Sequence, residues 1–231
     1  MTLSHSPVVV AAEPAAALAG TVAEAADLAG RGLAGLTRAL GALRPADKPL
    51  HPRGTTFAAE LTRHRSSDPI GVPWLDQAGT DQVLVRLSRA VGLPGPLPDV
   101  AGLALRLRRG QTRYADLLLA STGWNPVSRH LLLPALGSDA PMTSLLPYRS
   151  PAGPLVVGAR PRRDDATRFT LSWAMVGGHW HPFADLTLTD ELRDGADVSF
   201  DPVLNPLPGL EQYNWVERVR GRSYAAARRS R

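Results

Sequence analysis

From residue 80 onward, short runs of this chain place apolar residues at every second position. The clearest are Val83–Ser88, Ala101–Leu107, Leu117–Ala120, His130–Leu133, Leu155–Ala159, Arg168–Trp173 and Leu186–Thr189. Alternate side chains of a strand point to opposite faces, so each run predicts a short, half-buried strand. Gly, Pro, Asp and Asn between the runs supply turns. With no strand–helix alternation, the pattern predicts an antiparallel barrel or sandwich rather than a parallel sheet.

The two ends differ. In Ala11–Leu43, Leu18, Val22, Ala25, Leu28, Leu33, Leu36 and Leu40 recur at helical spacing. Gly20, Gly30, Gly32 and Gly35 each weaken a helix by about 1 kcal/mol relative to alanine, so one long helix or two broken ones are expected. Such an arm packs on its own chain or forms a homodimer contact. Asp201–Gly209 is proline-rich and predicts extended chain. Leu210–Arg231 predicts a helix ending in a basic tail. The expected fold class is α+β: an N-terminal helical arm over residues 1–44, then an antiparallel β-barrel with a C-terminal helix over residues 45–231.

Composition narrows the chemistry. None of the 231 residues is cysteine, which excludes disulfides, thiolate ligands and a cysteine nucleophile. Any metal must be held by His, Tyr, Met or carboxylate. The net charge is +5 and nearly all the basicity is arginine, Lys48 being the single lysine. Arginine pairs in bidentate fashion with carboxylates and phosphates, so an anionic cofactor suits it. No nucleic-acid-binding motif accompanies the charge, and no specific nucleic-acid partner is expected. The opening Met1–Ser6 lacks a basic segment, Val8–Ala12 is too short for a signal peptide, and no run of about 18 uncharged apolar residues is present. A cytoplasmic location is expected.

Several polar groups stand out individually. His51 lies between two proline-containing turns. His179-Trp180-His181 has the i, i+2 spacing that puts two imidazoles on one side of a strand, but its flanking Gly177-Gly178 and Pro182 favour a hairpin loop over a metal pair. Asp164-Asp165 predicts a solvated turn. Arg220 precedes Tyr224 by one helical turn, where a guanidinium favours an ionised phenol.

Taken in order, the motifs resemble the haem catalase superfamily. Leu50-His51-Pro52-Arg53-Gly54-Thr55, followed by Phe57, is similar to the family's segment bearing the distal histidine. Val85-Arg86-Leu87-Ser88 is similar to its Val-Arg-Phe-Ser strand, and Pro98–Arg106 to its Asp-x-x-Gly-Phe-Ala-x-Lys/Arg strand. Asp116-Leu117-Leu118 resembles the Asp-Leu-Val that follows. Phe200-Asp201-Pro202 and Pro208-Gly209 precede Arg220-Gly221-Arg222-Ser223-Tyr224, which matches the family's Arg-x-x-x-Tyr.

The resemblance implies a catalase-like barrel holding haem b and acting on peroxide or a small organic substrate, as a peroxidase or weak catalase. It implies Tyr224 as the iron ligand, His51 as the imidazole that moves a peroxide proton, and Ser88 as the hydrogen-bond partner of that ring. Arg86, Lys48 and Arg222 are implied partners of the haem propionates, with Arg220 beside the phenolate. Haem carriage without catalysis, or a haem-free scaffold, remains open on the same residues. The Pro49–Gly54 and Phe200–Leu210 runs are also similar to short actinobacterial-type chains labelled phosphodiesterase, although no paired metal-binding motif accompanies them.

Three departures separate this chain from the family pattern. Aligned on Pro126-Val127, Trp124 falls where the family's peroxide-positioning asparagine belongs and Asn125 comes one residue late. Ser128-Arg129-His130-Leu131 replaces the aromatic cluster that packs on haem. Ala225-Ala226-Ala227-Arg228 replaces the Asp-Thr after the tyrosine. The chain therefore reads as a minimal, divergent member.

Overall fold

The computed structural model describes residues 53–89, 99–135, 139–192, 198–214 and 216. All lie in the second of two units into which the chain divides, Met1–Arg44 and Pro45–Arg231. The N-terminal arm and the part of the expected Leu210–Arg231 helix beyond residue 216 fall outside the described residues, as do Lys48, His51, Arg220, Arg222 and Tyr224.

The alternation closes a sheet on itself. β1 (Arg53–Arg63) pairs with β2 (Gly79–Arg89), β2 with β3 (Ala101–Arg109), and β3 with β4 (Arg113–Ser121). β4 pairs with the two-residue β5 (Met142–Thr143), which pairs with β7 (Gly153–Pro161). β8 (Arg168–Met175) and β9 (His181–Leu192) follow, and β9 returns to β1. Every pairing is antiparallel, giving a closed eight-stranded barrel with no free edge in the circuit. β6 (Tyr148–Ser150) pairs with the start of β7 and carries β10 (Glu211–Gln212) outside it.

The inward positions fill the barrel with side chains. Leu61, Val85, Leu105, Leu117, Leu155, Leu171 and Leu186 are completely buried there. A short helix, α1 (Pro73–Asp76), starts with proline at its first turn. Its Trp74 meets Phe183 edge-on at 5.2 Å. Among the described residues no helix is long and apolar enough to cross a membrane.

Three expectations need correction. His130–Leu133 is not a strand: Ser128–His130 forms a 3-10 turn, and only Leu132 makes an isolated bridge, to Thr122. Leu131 and Leu133 are exposed, so the apolar run reflected no buried face. Asp201–Gly209 is folded into turns, because Asp201 Oδ1 accepts the backbone N–H groups of Val203 and Leu204 at 3.0 and 3.1 Å. Past Leu210 the chain first forms β10, which pairs with β6, so the expected helix cannot begin there.

A buried ion pair fastens the 199–205 segment to the barrel. Arg106 Nε and Nη2 donate to the two oxygens of Asp116 at 2.7 and 2.6 Å. Asp116 Oδ2 also accepts from the Asp201 N–H and the Asn205 side chain, both at 2.8 Å. Arg106 Nη2 donates to the Ser199 carbonyl at 2.6 Å. Its guanidinium also lies over the rings of Tyr114 and Phe200, 4.9 and 5.0 Å from the centroids. Partners of this kind offset the desolvation of a fully buried carboxylate.

Candidate functional site

Strand parity places Arg86 and Ser88 on the outer face of the barrel, opposite to Val83 and Val85. Ser88 pairs with Gly54 on β1 and Gly102 on β3. Gly102 pairs with Ala120, Ala120 with Thr143, and Thr143 with Gly158 on β7. One register row across six strands is thus built from Gly, Ser, Gly, Ala, Thr and Gly. The next outward row holds Thr56, Arg86 and Ala104. Thr56 is only 2% exposed although it faces outward.

Gly54 is required by a close approach. A Cβ there would lie 2.7 Å from Arg86 Nε and 2.9 Å from the Leu87 carbonyl oxygen. The arginine side chain therefore lies across the first strand. The result is a floor of short side chains with a guanidinium beside it.

At the β7 end of the row stand two tryptophans. Trp124 and Trp180 stack with centroids 4.1 Å apart and planes 17° from parallel, and Trp180 Nε1 donates to the Trp124 carbonyl at 2.7 Å. A Cβ on Gly158 would come within 2.9 Å of both rings, so the pair rests directly on the sheet backbone. Arg129 lies over the Trp180 ring at 4.5 Å and Arg160 over Trp124 at 5.8 Å, giving four layers of cation, indole, indole and cation. Arg129 is 1% exposed. Its Nε donates to the Asn125 carbonyl at 3.2 Å and its Nη2 to the Gly178 carbonyl at 2.8 Å. Burial pushes its pKa down.

His130 follows in the same turn, with Nδ1 2.7 Å from the Leu145 carbonyl oxygen. Burial pushes its pKa below the ordinary 6.5; the Leu145 hydrogen bond opposes this and the Arg129 charge adds to it. The folded ring therefore holds a proton less tightly than the unfolded one. Stability from this group is complete above about pH 6.5 and is lost as pH falls through the lowered folded value. The melting temperature is expected to drop as pH falls below about 6.5, and to drop less in His130→Phe. Equal pH dependence in the two proteins contradicts this.

A concavity of about 230 Å³ lies between residues 64–68 and the start of β9, lined by His64, Arg65, Asp68, Trp173, Trp180 and His181 among others. His64 Nε2 is 3.0 Å from Asp185 Oδ2, and the His181 ring stacks on Trp173 at 4.4 Å. His179 lies in the connection between β8 and β9, and His181 is the first residue of β9. Asp164 and Asp165 lie in the turn before β8, their pKa values lowered by hydrogen bonds from Arg162 and Thr167 respectively. Among the described residues no group of three His, Cys, Asp or Glu side chains is placed to hold a metal ion.

Of the residues singled out from sequence, Arg86 and Ser88 therefore share one outer face. β1 begins two residues after His51 and pairs Gly54 with Ser88. Asn125 lies in the loop after β4, exposed. Its Oδ1 accepts the N–H groups of Val127 and Ser128 at 3.1 and 2.7 Å, which starts the 3-10 turn. The sequence assigned no site role to Arg129, His130 or Gly158 and did not bring Trp124 and Trp180 together. The repeated small residue at one parity of each strand was the available signal for the floor. Nothing local signals a stack between residues 56 positions apart.

The barrel superposes on three solved structures. A fungal catalase gives a TM-score of 0.59 at 15% identity, with 87% of this chain and 62% of that one covered. A bacterial catalase gives 0.57 at 14% identity, covering 87% and 59%. Catalase A from Saccharomyces cerevisiae gives 0.59 at 13% identity, covering 87% and 63%. The chain thus spans less than two thirds of each. No family model matches the chain, and no curated protein matches it in sequence.

Proposed function

Starting from a catalase-like fold, we propose that this chain binds haem b on the outer face of β1–β4. There it supports peroxide-dependent oxidation of a small organic substrate, with weak or absent catalase turnover. The observation that carries this reading is the row of short side chains from Gly54 to Ala120 with Arg86 beside it. A planar macrocycle needs a face without protruding side chains, and its carboxylates need a guanidinium partner. The residues present fit both needs.

When bound, the haem iron supplies the redox chemistry with peroxide. The chain's own groups do the rest. Arg86 holds a propionate, assisted by Lys48 and Arg222. Tyr224 would hold the iron through its phenolate oxygen, and Arg220, four residues earlier in the sequence, would favour the ionised phenol. His51 takes a proton from peroxide at its free ring nitrogen, and Ser88 fixes which nitrogen that is.

Asn125 favours oxidation of an added substrate over rapid peroxide dismutation. Its amide oxygen is engaged by two backbone N–H groups of the turn, which takes it away from positioning peroxide. The same observation favours, as the second reading, a haem carrier without turnover.

The test is a haem titration followed by absorption. Wild type is expected to develop a Soret band that shifts in Tyr224→Phe. Arg86→Ala is expected to weaken haem binding about tenfold or more, the equivalent of one lost charged hydrogen bond of about 1.5–3 kcal/mol. Absence of a Soret band in wild type overturns the reading. Bound haem without peroxide-driven oxidation of any dye selects the carrier.

A further inference from the structure

The concavity of about 230 Å³ lies at the mouth of the barrel, where Trp173 of β8 pairs with His181 of β9. Its base is fixed. Trp173, Phe183 and Leu75 are buried, and the His181 ring lies on Trp173, 4.4 Å away and 13° from parallel. His181 is itself exposed, so the other face of its imidazole is open. Phe183 falls where the β8–β9 register shifts, and such bulges re-aim a side chain.

The loop beside it, residues 64–72, is held by bonds that spare three of its side chains. His64 N donates to the Phe183 carbonyl at 2.7 Å and Ser66 N to the Asp76 carbonyl at 2.9 Å. The Asp76 carboxylate accepts the N–H groups of Ile70 and Val72 at 3.0 and 2.9 Å. Ser66 Oγ donates to the Asp68 carbonyl at 2.9 Å and accepts the Asp68 N–H at 3.2 Å. The His64 ring is engaged by Asp185. Arg65, Ser67 and Asp68 are left over: all three are exposed, and among the described residues their side chains have no hydrogen-bond or ion-pair partner.

Exposed charges without partners are ordinary on a protein surface. Here both border one aromatic-based concavity at a barrel mouth, a usual place for a small-molecule site. A guanidinium and a carboxylate that do not pair with each other present opposite charges to whatever enters. A ligand that matches both carries an anion and a cation of its own. The open imidazole face suits a flat ring. The volume lies below the roughly 300–1,000 Å³ of drug-sized sites, which fits one ring with a short polar end and excludes a macrocycle. With the loop already tied on both sides, little ordering remains to weaken binding.

We propose that this concavity binds a small zwitterion bearing an aromatic ring, of the free aromatic amino acid class. Arg65 and Ser67 take the carboxylate, Asp68 takes the ammonium, and the ring lies on the open face of His181. None of these four residues belongs to the row from Gly54 to Ala120. The site therefore stands whether or not the outer face takes haem.

Titration of the protein with L-phenylalanine, followed by ligand-observed NMR and without haem, tests it. Saturable binding is expected. 3-Phenylpropionate, which lacks the ammonium, and phenethylamine, which lacks the carboxylate, are each expected to bind at least tenfold more weakly. Arg65→Ala is expected to weaken phenylalanine at least tenfold and to leave phenethylamine unchanged. Asp68→Ala is expected to weaken phenylalanine by as much and to bind 3-phenylpropionate no more weakly than wild type does. Both side chains are exposed and hold nothing in place, so the melting temperature is expected to stay the same. Absence of saturable binding of phenylalanine, tyrosine and tryptophan to wild type overturns the inference. So does 3-phenylpropionate binding as tightly as phenylalanine, or equal phenylalanine affinity in wild type and the two variants.

Discussion

Replacing Asp116 with alanine is expected to destabilise the protein by about 3–5 kcal/mol, the cost of leaving a buried charge without its partner. Arg106 would keep its place between β3 and the 199–205 segment with no carboxylate to receive it. The Asp201 N–H and the Asn205 side chain would lose their shared acceptor as well. For a chain of this size the melting temperature is expected to fall by roughly 6–20 °C. The double variant Arg106→Met, Asp116→Leu is expected to lose less than the single one, because apolar replacement of both partners leaves no orphaned charge. A loss in Asp116→Ala below about 1 kcal/mol, the range of exposed pairs, contradicts this account. So does a double variant less stable than the single.

Trp180→Ala is expected to cost about 2–3 kcal/mol by thermal or denaturant unfolding, less than a fully buried aromatic because the ring is only half-buried. The substitution removes the stack on Trp124, the indole hydrogen bond to the Trp124 carbonyl and the ring under the Arg129 guanidinium. A guanidinium that is 1% exposed would then face a void. Gly158→Ala approaches the same cluster from below. It forces a methyl group against two rings that cannot swing away, at about 1–3 kcal/mol of overpacking. Near-wild-type stability in both variants would mean that the layered cluster is not a rigid unit.

The longer strands were legible in the sequence because burial and alternation coincide there. In Ala101–Leu107, Leu103, Leu105 and Leu107 all point into the barrel, and the same holds for Leu155, Val157 and Ala159. β1 was read only as a motif, since its inward Phe57, Ala59 and Leu61 are blurred by Ala58 between them. β5, β6 and β10 span two or three residues each, too few to carry a period. His130–Leu133 looked like a strand because its leucines are apolar, whereas the Asn125 side chain starts a turn there and leaves them exposed.

The site divides the same way. The outward direction of Arg86 and Ser88 follows from their parity with Val83 and Val85. The row from Gly54 to Gly158 also needs the register of six strands, which depends on long-range pairing rather than on local pattern. Arg129 and His130 gain their surroundings from Gly178 and Leu145, 49 and 15 residues away. Only the folded chain brings those carbonyls to the 3-10 turn.

The central claim, that the outer face of β1–β4 receives a porphyrin, is tested most directly by a crystal structure of the protein with haem added. The expected result is a porphyrin plane lying over Gly54, Ser88, Gly102 and Ala120, with a propionate within hydrogen-bond distance of Arg86. A porphyrin seated instead in the concavity beside Trp173 and His181, or a floor covered by the protein's own side chains, would contradict it.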